Sequence, residues 1–497
     1  MMAMNVEAGR VRPGALARRL TRLRALTAAE RVAYGGTCLY AAVFTVFAIA
    51  RHLAFLSQRD DLGNMTQSIW TTLHGHFLST TMESGAQISR LGVHVDPFLV
   101  LLAPVWWLWP SPLMLVSLQA LAVSAGAFPV FWLARKHLRS ERAAALFVFA
   151  YLLYPSTQFN AFAISSGFHS VTIAIPLLLF AIWFLDEDRL LPFAIVAALA
   201  ATTKEEIPLV IGVLGIWYGR SHRRWRVGAA LFSIGLALTL FDFLVVLPHF
   251  GAGGYTFGDR YAAVGGTPIG IARTAVTHPL AFVHDVATVH KLVYLVLVFV
   301  PFLGLWLFEP LLALAVVPEL AVNLLSNDPN QTAIPFHGAS AMIPVVVAAS
   351  IFGLARLERD VPRFRAQANR LALYVCAAVA ATAVYSPFVI GVGWVAEALP
   401  SNSVHRAKAG ALALIPPRVA VSASDQLGGH LSERLRIMIF PVVREARWIV
   451  VDRNDRTYGD QRAYLRKIAA LRRAPNWSLA YSSRGVLVFH RIGTTTA

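Results

Sequence analysis

The chain has 497 residues, of which 57% are hydrophobic and 14% charged, and its mean hydropathy is +0.58. Soluble globular proteins carry about 25% charged residues, so this composition excludes a soluble protein and predicts an integral membrane protein. The net charge of +17 does not indicate nucleic-acid binding, because the basic residues lie in short stretches between apolar runs, as they do in cytoplasmic loops.

The first 33 residues contain seven arginines and lead directly into a long apolar run. No small-residue cleavage site closes a short apolar region, so we predict a cytoplasmic basic arm (1–33) rather than a signal peptide. The transmembrane domain (34–398) that follows is predicted to be α-helical with about 11 spans. The predicted spans are 34–56, 112–134, 142–157, 170–185, 189–203, 206–219, 227–248, 290–308, 310–325, 338–355 and 371–397.

The orientation follows from four basic stretches, which are the N-terminal arm and residues 135–142, 220–226 and 356–370. Eleven spans place all four in the cytoplasm, as the positive-inside rule requires. Counting 97–109 as a further span would move one of them outside. That segment is short, rich in tryptophan and ends in proline, so we predict interfacial helices at 97–109 and 64–75 within an outer loop (57–111).

The tail (399–497) is more charged and contains short β-rich runs at 419–424, 437–441, 448–453, 477–482 and 486–491. Residues 459–474 predict an amphipathic helix, with Tyr464, Ile468 and Leu471 on one face. We therefore predict a small extracytoplasmic α/β domain at the C-terminus.

Ionisable residues near a bilayer are functional candidates by default, and this topology gathers them on the outer face. The candidates are Asp60, Asp61, His94, His169, Lys204, Glu205, Glu206, Arg260 and His337. No glycine-rich phosphate loop and no nucleophile elbow is present, which argues against ATP hydrolysis.

Each candidate also has a structural interpretation. Asp60 and Asp61 close the first span and can be a charged helix end. His94 and Asp96 can form a polar turn before Pro97; two residues at this spacing do not make a metal site. His169 and His337 can be hydrogen-bonded interfacial histidines. Lys204-Glu205-Glu206 can be an internal ion pair or the contact with a charged ligand.

The sequence resembles a bacterial family of predicted multispanning membrane proteins of unknown function. The resemblance covers about residues 55–490. In that family a Ser or Thr often stands where this chain has Asp96, and an Asp where it has Glu206. The stretches that carry the resemblance are Asp61-Leu62-Gly63, Gln67 to Trp70, His94 to Pro97, Gln119, Pro129, Ala134-Arg135, Phe168 to Ser170, Lys204 to Glu206, Phe336-His337, Val421 to Ser424 and His430 to Ser432.

The family is similar in layout to the GT-C glycosyltransferases, which take a sugar from a polyprenyl-phosphate donor. The resemblance implies that Asp61, or its neighbour Asp60, is the general base of an inverting transfer to a glycan, lipid or protein acceptor. Lys204, His94, His169 and Arg260 would bind the leaving phosphate, with His337 completing the sugar site and Glu205 and Glu206 beside Lys204.

The predicted location is the bacterial cytoplasmic membrane, with the N-terminus inside and the C-terminal domain outside. The partners implied are the lipid bilayer and the lipid-linked donor, and no nucleic acid. No cofactor is required by any motif, although a divalent metal is compatible with the reaction. The alternative is a non-catalytic component of the envelope that binds or transports a glycolipid with the same outer cluster.

Overall fold

The computed structural model describes residues 26–163, 167–251, 257–385 and 403–493. Residues 1–25 of the predicted basic arm lie outside these ranges, as do the end of the last predicted span and the linker that follows it (386–402). The described residues are mostly helical up to 385 and form a mixed sheet with helices from 403 onward.

Helices α1 to α12 occupy the first half of the chain. Helix α1 (Ala28–Leu53) begins at a capping box, in which Thr27 accepts from the Glu30 N–H and Glu30 accepts from the Thr27 N–H. A π-helical turn (Arg59–Gly63) leads into α2 (Asn64–Leu73), and a two-stranded hairpin of β1 (Ser79–Thr81) and β2 (Gln87–Ser89) follows α2. The helices are α1 (Ala28–Leu53), α2 (Asn64–Leu73), α3 (Phe98–Leu108), α4 (Pro112–Ala125), α5 (Ala127–Leu138), α6 (Glu141–Leu153), α7 (Pro155–Phe162), α8 (Ser170–Asp186), α9 (Leu190–Ala201), α10 (Ile207–Ser221), α11 (Trp225–Phe241) and α12 (Leu247–Phe250).

The second half continues with shorter helices and several 3-10 turns, two of which, Gly258–Val264 and His337–Ala339, border the site described below. The helices are α13 (Pro268–Thr277), α14 (Pro279–Val286), α15 (Val289–Phe299), α16 (Pro310–Ala313), α17 (Val317–Leu325), α18 (Met342–Asp360), α19 (Ala368–Ala381) and α20 (Ser403–Ala413).

Two predicted spans are broken rather than continuous. The segment 142–157 ends as a helix at Leu153, because Tyr154 precedes a proline and adopts an extended conformation. The segment 290–308 is interrupted after Phe299 by a 3-10 turn that contains Pro301, and Leu303 then has a left-handed backbone. Proline lacks the N–H that would continue the helix, so hydropathy overestimated the length of both segments.

Four described helices are long and apolar enough to cross a membrane, and a pair bent by 60° (Pro279–Val286 with Val289–Phe302) adds a fifth if it is one span. The other apolar helices are shorter, so the count of eleven spans stays a prediction. The four are Ala28–Leu53, Pro112–Leu138, Trp225–Phe250 and His337–Asp360; the shorter ones are Phe98–Leu108, Ser170–Asp186, Leu190–Ala201, Ile207–Ser221, Pro310–Leu325 and Ala368–Val384.

The two segments predicted to lie at the interface differ in their surroundings. In α3 the side chains of Trp107 and Leu108 are 74% and 86% exposed, as an interfacial helix requires. Most of α2 is instead buried within the protein. Its Gln67 side chain donates to the carbonyls of Arg434 and Leu435, so the C-terminal sheet covers this helix.

Ion pairs connect the helix ends that carry the predicted cytoplasmic basic stretches. Arg135 pairs with Glu30 at 2.6 Å and Lys136 with Asp186 at 2.8 Å. The candidate site residues lie at the opposite helix ends: before α8, between α9 and α10, and before α18. The bundle therefore has a basic end and a second end that holds the candidate cluster.

From residue 421 onward, the C-terminal segment contains a five-stranded sheet and two helices. The elements are β3 (Val421–Ala423), α21 (Asp425–Gly428), β4 (Ile437–Ile439), β5 (Trp448–Asp452), α22 (Gln461–Arg473), β6 (Trp477–Ser483) and β7 (Val486–Arg491). The strand order in the sheet is β4-β3-β5-β7-β6. Strands β3, β4 and β5 are parallel, whereas β7 pairs antiparallel with β5 and β6. Helix α22 packs Tyr464, Ile468 and Leu471 against the sheet, on the face that the sequence predicts.

Candidate functional site

A polar cavity of about 430 Å³ lies at the end of the bundle opposite the basic helix ends. Its wall comes from the turn after α1, the loops before α3 and α8, the α9–α10 connection, the 3-10 turns and the C-terminal sheet. All nine candidate residues line it, although they come from distant parts of the sequence. They are Asp60, Asp61, His94, His169, Lys204, Glu205, Glu206, Arg260 and His337.

Asp61 contacts a fixed imidazole. Its Oδ1 lies 3.0 Å from Nε2 of His169, whose side chain is 6% exposed. The backbone N–H of His169 donates to Oε1 of Gln119 at 2.9 Å. The His169 ring also stacks on His337, with centroids 3.8 Å apart. These contacts fix the imidazole, so that one oxygen of Asp61 has a defined partner at the cavity wall.

Asp60 precedes Asp61 in the same π-helical turn. Burial and the neighbouring charge of Asp61 raise the pKa of Asp60 to about 6, although Arg59 opposes the shift. The Arg59 guanidinium is 3.9 Å from the Asp60 carboxylate. Two adjacent carboxylates therefore border the cavity, and the pKa of Asp60 is close to neutral pH.

Lys204, Glu205 and Glu206 occupy the short connection between α9 and α10. Lys204 Nζ is 2.6 Å from Glu206 Oε1. Burial alone would lower the pKa of Lys204, but Glu206, Glu319 and Glu205 outweigh it and hold the pKa well above its ordinary value. The lysine is therefore charged at neutral pH, and the internal ion pair considered from the sequence is present.

Glu205 faces a different partner, His94. Its Oε1 is 2.9 Å from His94 Nδ1, and its Oε2 accepts from the backbone N–H of Val95 at 3.0 Å. Burial opposes ionisation, but His94 and Lys204 outweigh it and lower the pKa of Glu205 to about 2. Glu205 is therefore an anion that orients the His94 ring rather than a proton carrier.

The side chain of Asp96 has other partners than the side chain of His94. It accepts from Arg90 Nε at 2.9 Å and from Ser170 Oγ at 3.3 Å. The pair with Arg90 is almost completely buried. Asp96 and His94 thus have separate partners, and within the described ranges no group of three or more His, Cys, Asp or Glu side chains is arranged to hold a metal ion.

Arg260 reaches the cavity from the 3-10 turn Gly258–Val264. Its guanidinium is 3.2 Å from Asp328 and lies over the ring of Phe257, 4.0 Å from the centroid. The Phe257 ring in turn lies 5.1 Å from His94. Arg260 therefore adds a second cation to the part of the wall that contains Lys204 and His94.

Residues 51–488 match the family described as "Predicted membrane protein (DUF2079)". The chain belongs to this family. The match spans most of the chain and confirms the family resemblance found in the sequence. None of the curated protein sequences compared with the chain matches it.

Two solved structures of ArnT from Cupriavidus metallidurans are similar to this DUF2079 protein. The structure bound to undecaprenyl phosphate has 14% identity and a TM-score of 0.51, and the match covers 93% of this chain and 98% of that chain. For the apo structure the identity is 13%, the TM-score 0.49 and the coverage 91% and 98%. The undecaprenyl phosphate complex shows that the fold is shared, which confirms the GT-C-like helical architecture at this level.

Four further residues near the site were not among the candidates. Arg59 is fully buried beside Asp60. Asp425, at the start of α21, and Thr457, in the loop after β5, also line the cavity. Glu319 is fully buried in α17 and its charge acts on Lys204. An acidic residue inside an apolar helix is a signal for function, so the sequence could have identified Glu319. Asp425 follows a predicted strand, but its position in the sequence does not indicate which distant residues it contacts.

Proposed function

We propose that this protein transfers a sugar from a polyprenyl-phosphate donor to an envelope acceptor at the extracytoplasmic face of the bacterial cytoplasmic membrane. The observation that carries the proposal is the contact of 3.0 Å between Asp61 and His169 in a polar cavity that also contains Lys204. The fold shared with an ArnT structure bound to undecaprenyl phosphate supports the choice of donor.

The leaving phosphate needs cations and hydrogen-bond donors. Lys204 has three donor hydrogens, and its pair with Glu206 uses one of them, so that others remain for a phosphate oxygen. Arg260 contributes a planar guanidinium from the neighbouring wall. His94, oriented by Glu205, supplies a further nitrogen. These three side chains form the phosphate-binding part of the proposed site.

Asp61 acts as the general base in this proposal. Its carboxylate accepts the proton of the acceptor hydroxyl while the hydroxyl oxygen forms a bond to the anomeric carbon of the sugar. The bond between that carbon and the donor phosphate breaks, and its electron pair leaves with polyprenyl phosphate. Attack from the opposite face inverts the anomeric configuration. His169 holds the Asp61 carboxylate in position, and His337 borders the sugar.

The test is sugar transfer by the purified protein in nanodiscs, with radiolabelled undecaprenyl-phosphate sugars and envelope extract as acceptor. We compare the natural chain with Asp61→Asn, Asp60→Asn and Asp259→Asn. Asp259 is an exposed carboxylate on the 3-10 turn that carries Arg260, so it is a control for loss of one acidic side chain. We expect Asp61→Asn to abolish product while undecaprenyl phosphate still binds, and Asp259→Asn to behave as the natural chain.

Product formation that survives Asp61→Asn but not Asp60→Asn would assign the base to Asp60. Donor binding without product from the natural chain would contradict transfer and favour the glycolipid-binding or transport alternative. Loss of product in the Asp259→Asn control would show that the assay responds to charge at this face in general.

A further inference from the structure

The C-terminal sheet contacts the helix that carries the two candidate carboxylates. Asp425 is separated from the end of β3 by Ser424, and its Oδ1 accepts two hydrogen bonds from backbone N–H groups. The donors are the N–H groups of Arg59, at 3.0 Å, and of Asp60, at 3.2 Å. The residues that meet here are separated by more than 360 positions in the chain.

These two N–H groups require a partner from elsewhere. The first N–H groups of a helix have no partner within it, and Gln58, at the cap position before Arg59, makes no side-chain cap hydrogen bond. A carboxylate at this position satisfies the donors and places negative charge at the positive end of the helix. Asp425 therefore caps a helix that belongs to the transmembrane domain.

The same contact is closely packed on both sides. A Cβ added to Gly63 would lie 2.5 Å from Ser432 Oγ, and one added to Gly428 would lie 2.8 Å from Arg59 Cβ. Arg59 is fully buried in this contact, and the charges of Asp60 and Asp425 partly offset the cost of burying its guanidinium. The segment that follows β3 thus fits against the turn Arg59–Gly63 without space for an additional methyl group.

A second set of hydrogen bonds fixes the next turn of the helix. Gln67 Nε2 donates to the carbonyls of Arg434 and Leu435, and the N–H of Ile437 donates to Thr81, which also contacts Gln67. The helix that begins at Arg59 is therefore held by the sheet at two successive points, and Asp61 lies between them.

We propose that Asp425 is a positioning residue that fixes the turn Arg59–Gly63, and with it Asp61 against His169, so that the C-terminal sheet is a working part of the reaction centre. The role of Asp61 in this inference rests on the proposed function, whereas the capping contact does not. Asp425 and Thr457 also follow parallel strands β3 and β5 at their carboxyl ends, the edge at which ligands of open α/β sheets bind.

Hydrogen exchange in the full-length protein tests the capping contact without any substrate. We compare the natural chain with Asp425→Ala, Asp425→Asn and Asp460→Ala by mass spectrometry of peptides that contain residues 59–60. Asp460 is a matched control, because its carboxylate caps helix α22, which packs on the same sheet but lies away from residues 59–60. We expect Asp425→Ala to accelerate exchange of the Arg59 and Asp60 amides about tenfold, as for other lost caps.

The conservative variant separates positioning from folding. Asparagine retains Oδ1, so Asp425→Asn should restore protection of both amides, and α22 should exchange normally in every Asp425 variant. In the transfer assay, Asp425→Ala should lower kcat with little change in the KM for donor, and Asp460→Ala should change neither.

Unchanged exchange at residues 59–60 in Asp425→Ala would overturn the inference, as would an equal acceleration in Asp460→Ala. A lower kcat with protected amides would also overturn it. Because exchange is measured on the free protein, failure of the sugar-transfer proposal would leave the exchange result interpretable by itself.

Discussion

Asp61 Oδ1 and His169 Nε2 lie 3.0 Å apart, and this contact joins the end of the first predicted span to the start of α8. Two contacts fix the imidazole: the backbone N–H of His169 donates to the Gln119 side chain, and the His337 ring stacks on the His169 ring. A base that is held in one orientation reacts more efficiently than one that samples several. The contact therefore makes His169 the first residue to test beside Asp61 itself.

We expect His169→Ala to reduce the rate of sugar transfer about 100-fold, because a misplaced reacting group costs about that factor. The Kd for undecaprenyl phosphate should change much less, since the proposed phosphate contacts come from Lys204, Arg260 and His94. His76→Ala is the control: His76 is an exposed histidine of the same predicted outer loop. Loss of donor binding with an unchanged rate constant would contradict a role in orienting Asp61.

Lys204 is predicted to have two separable roles, one in stability and one in donor binding. Lys204→Gln leaves Glu206 buried without its cation, which costs about 3–5 kcal/mol of unfolding free energy. It should also raise the Kd for undecaprenyl phosphate about tenfold or more, because hydrogen bonds to charged groups contribute about 1.5–3 kcal/mol. Thermal unfolding in detergent and lipid-binding measurements give the two quantities.

The double variant Lys204→Gln/Glu206→Gln distinguishes these roles. Removing both charges should recover most of the stability lost in Lys204→Gln, since no unpaired carboxylate from this pair remains. Donor binding should stay weak, because the lysine is still absent. Recovery of both properties together would mean that Lys204 affects the donor only through the fold.

The sequence predicts well what depends on local composition. Helix α8 spans Ser170–Asp186, against a prediction of 170–185, because a continuous apolar run bounded by polar residues fixes both ends. The gathering of the candidates at one end of the bundle follows from alternating the direction of successive spans. Hydropathy did not reveal the interruption at Pro301, because an average over a window is insensitive to one missing N–H.

What the sequence does not contain is the partner of each polar group. Asp425 follows a correctly predicted strand, yet its hydrogen bonds go to residues 365 and 366 positions away. Gln119 was noted only as part of the resemblance, and its contact with the His169 N–H depends on how α4 and α8 pack. Such contacts are set by tertiary structure, so composition and periodicity predict the residue types of the site without their pairing.

The contribution of Asp60 and Asp425 to protein stability is predicted to fall as the pH rises from about 4 to 7. Burial and nearby carboxylates raise the pKa of Asp60 to about 6 and that of Asp425 to about 7, above the ordinary 3.8. Between the ordinary and the raised values the folded state holds protons that the unfolded chain has released, so folding becomes less favourable as these protons are lost. The pKa of Glu205 is lowered to about 2, so Glu205 affects stability only at lower pH, where it becomes protonated.

Asp425→Asn isolates one of these contributions. The groups whose charges act on Asp425 are Asp60, Asp455 and Arg59, and all are retained in the variant. We expect the Tm of the natural chain to fall by a few degrees relative to that of the variant as the pH rises from about 4 to 7. Parallel Tm profiles for the two proteins would contradict a raised pKa at Asp425.

Gly63→Ala tests the close contact between the C-terminal sheet and the turn that carries Asp61. The backbone of Gly63 has φ −65°, which alanine adopts readily, so any loss of stability comes from the contact with Ser432 Oγ at 2.5 Å. We expect a loss of about 1–3 kcal/mol, as for other overpacked sites. Gly35→Ala, with nothing within 4 Å of the added Cβ, is the matched control and should not destabilise.

Ser432→Ala should partly rescue Gly63→Ala by removing the hydroxyl that the new methyl group would meet. Ser432 Oγ also donates to the Gly428 carbonyl at 2.8 Å, so the single variant Ser432→Ala should itself lose some stability. A double variant whose loss of stability equals the sum of the two single losses would place the strain elsewhere in the contact.

The proposed donor site requires the polar cavity to face the extracytoplasmic side, and cysteine labelling tests this orientation. Ser84, beside the cavity-lining Glu83, and Arg365, in the basic stretch 356–370, are both exposed. Each is changed to cysteine in a chain in which Cys38 and Cys376 are replaced by alanine. The positive-inside rule predicts that a membrane-impermeant maleimide labels Ser84→Cys in spheroplasts and Arg365→Cys only in inverted vesicles. The opposite pattern would put the cavity in the cytoplasm, where Asp61 would meet a cytoplasmic acceptor and the proposed envelope reaction would be excluded.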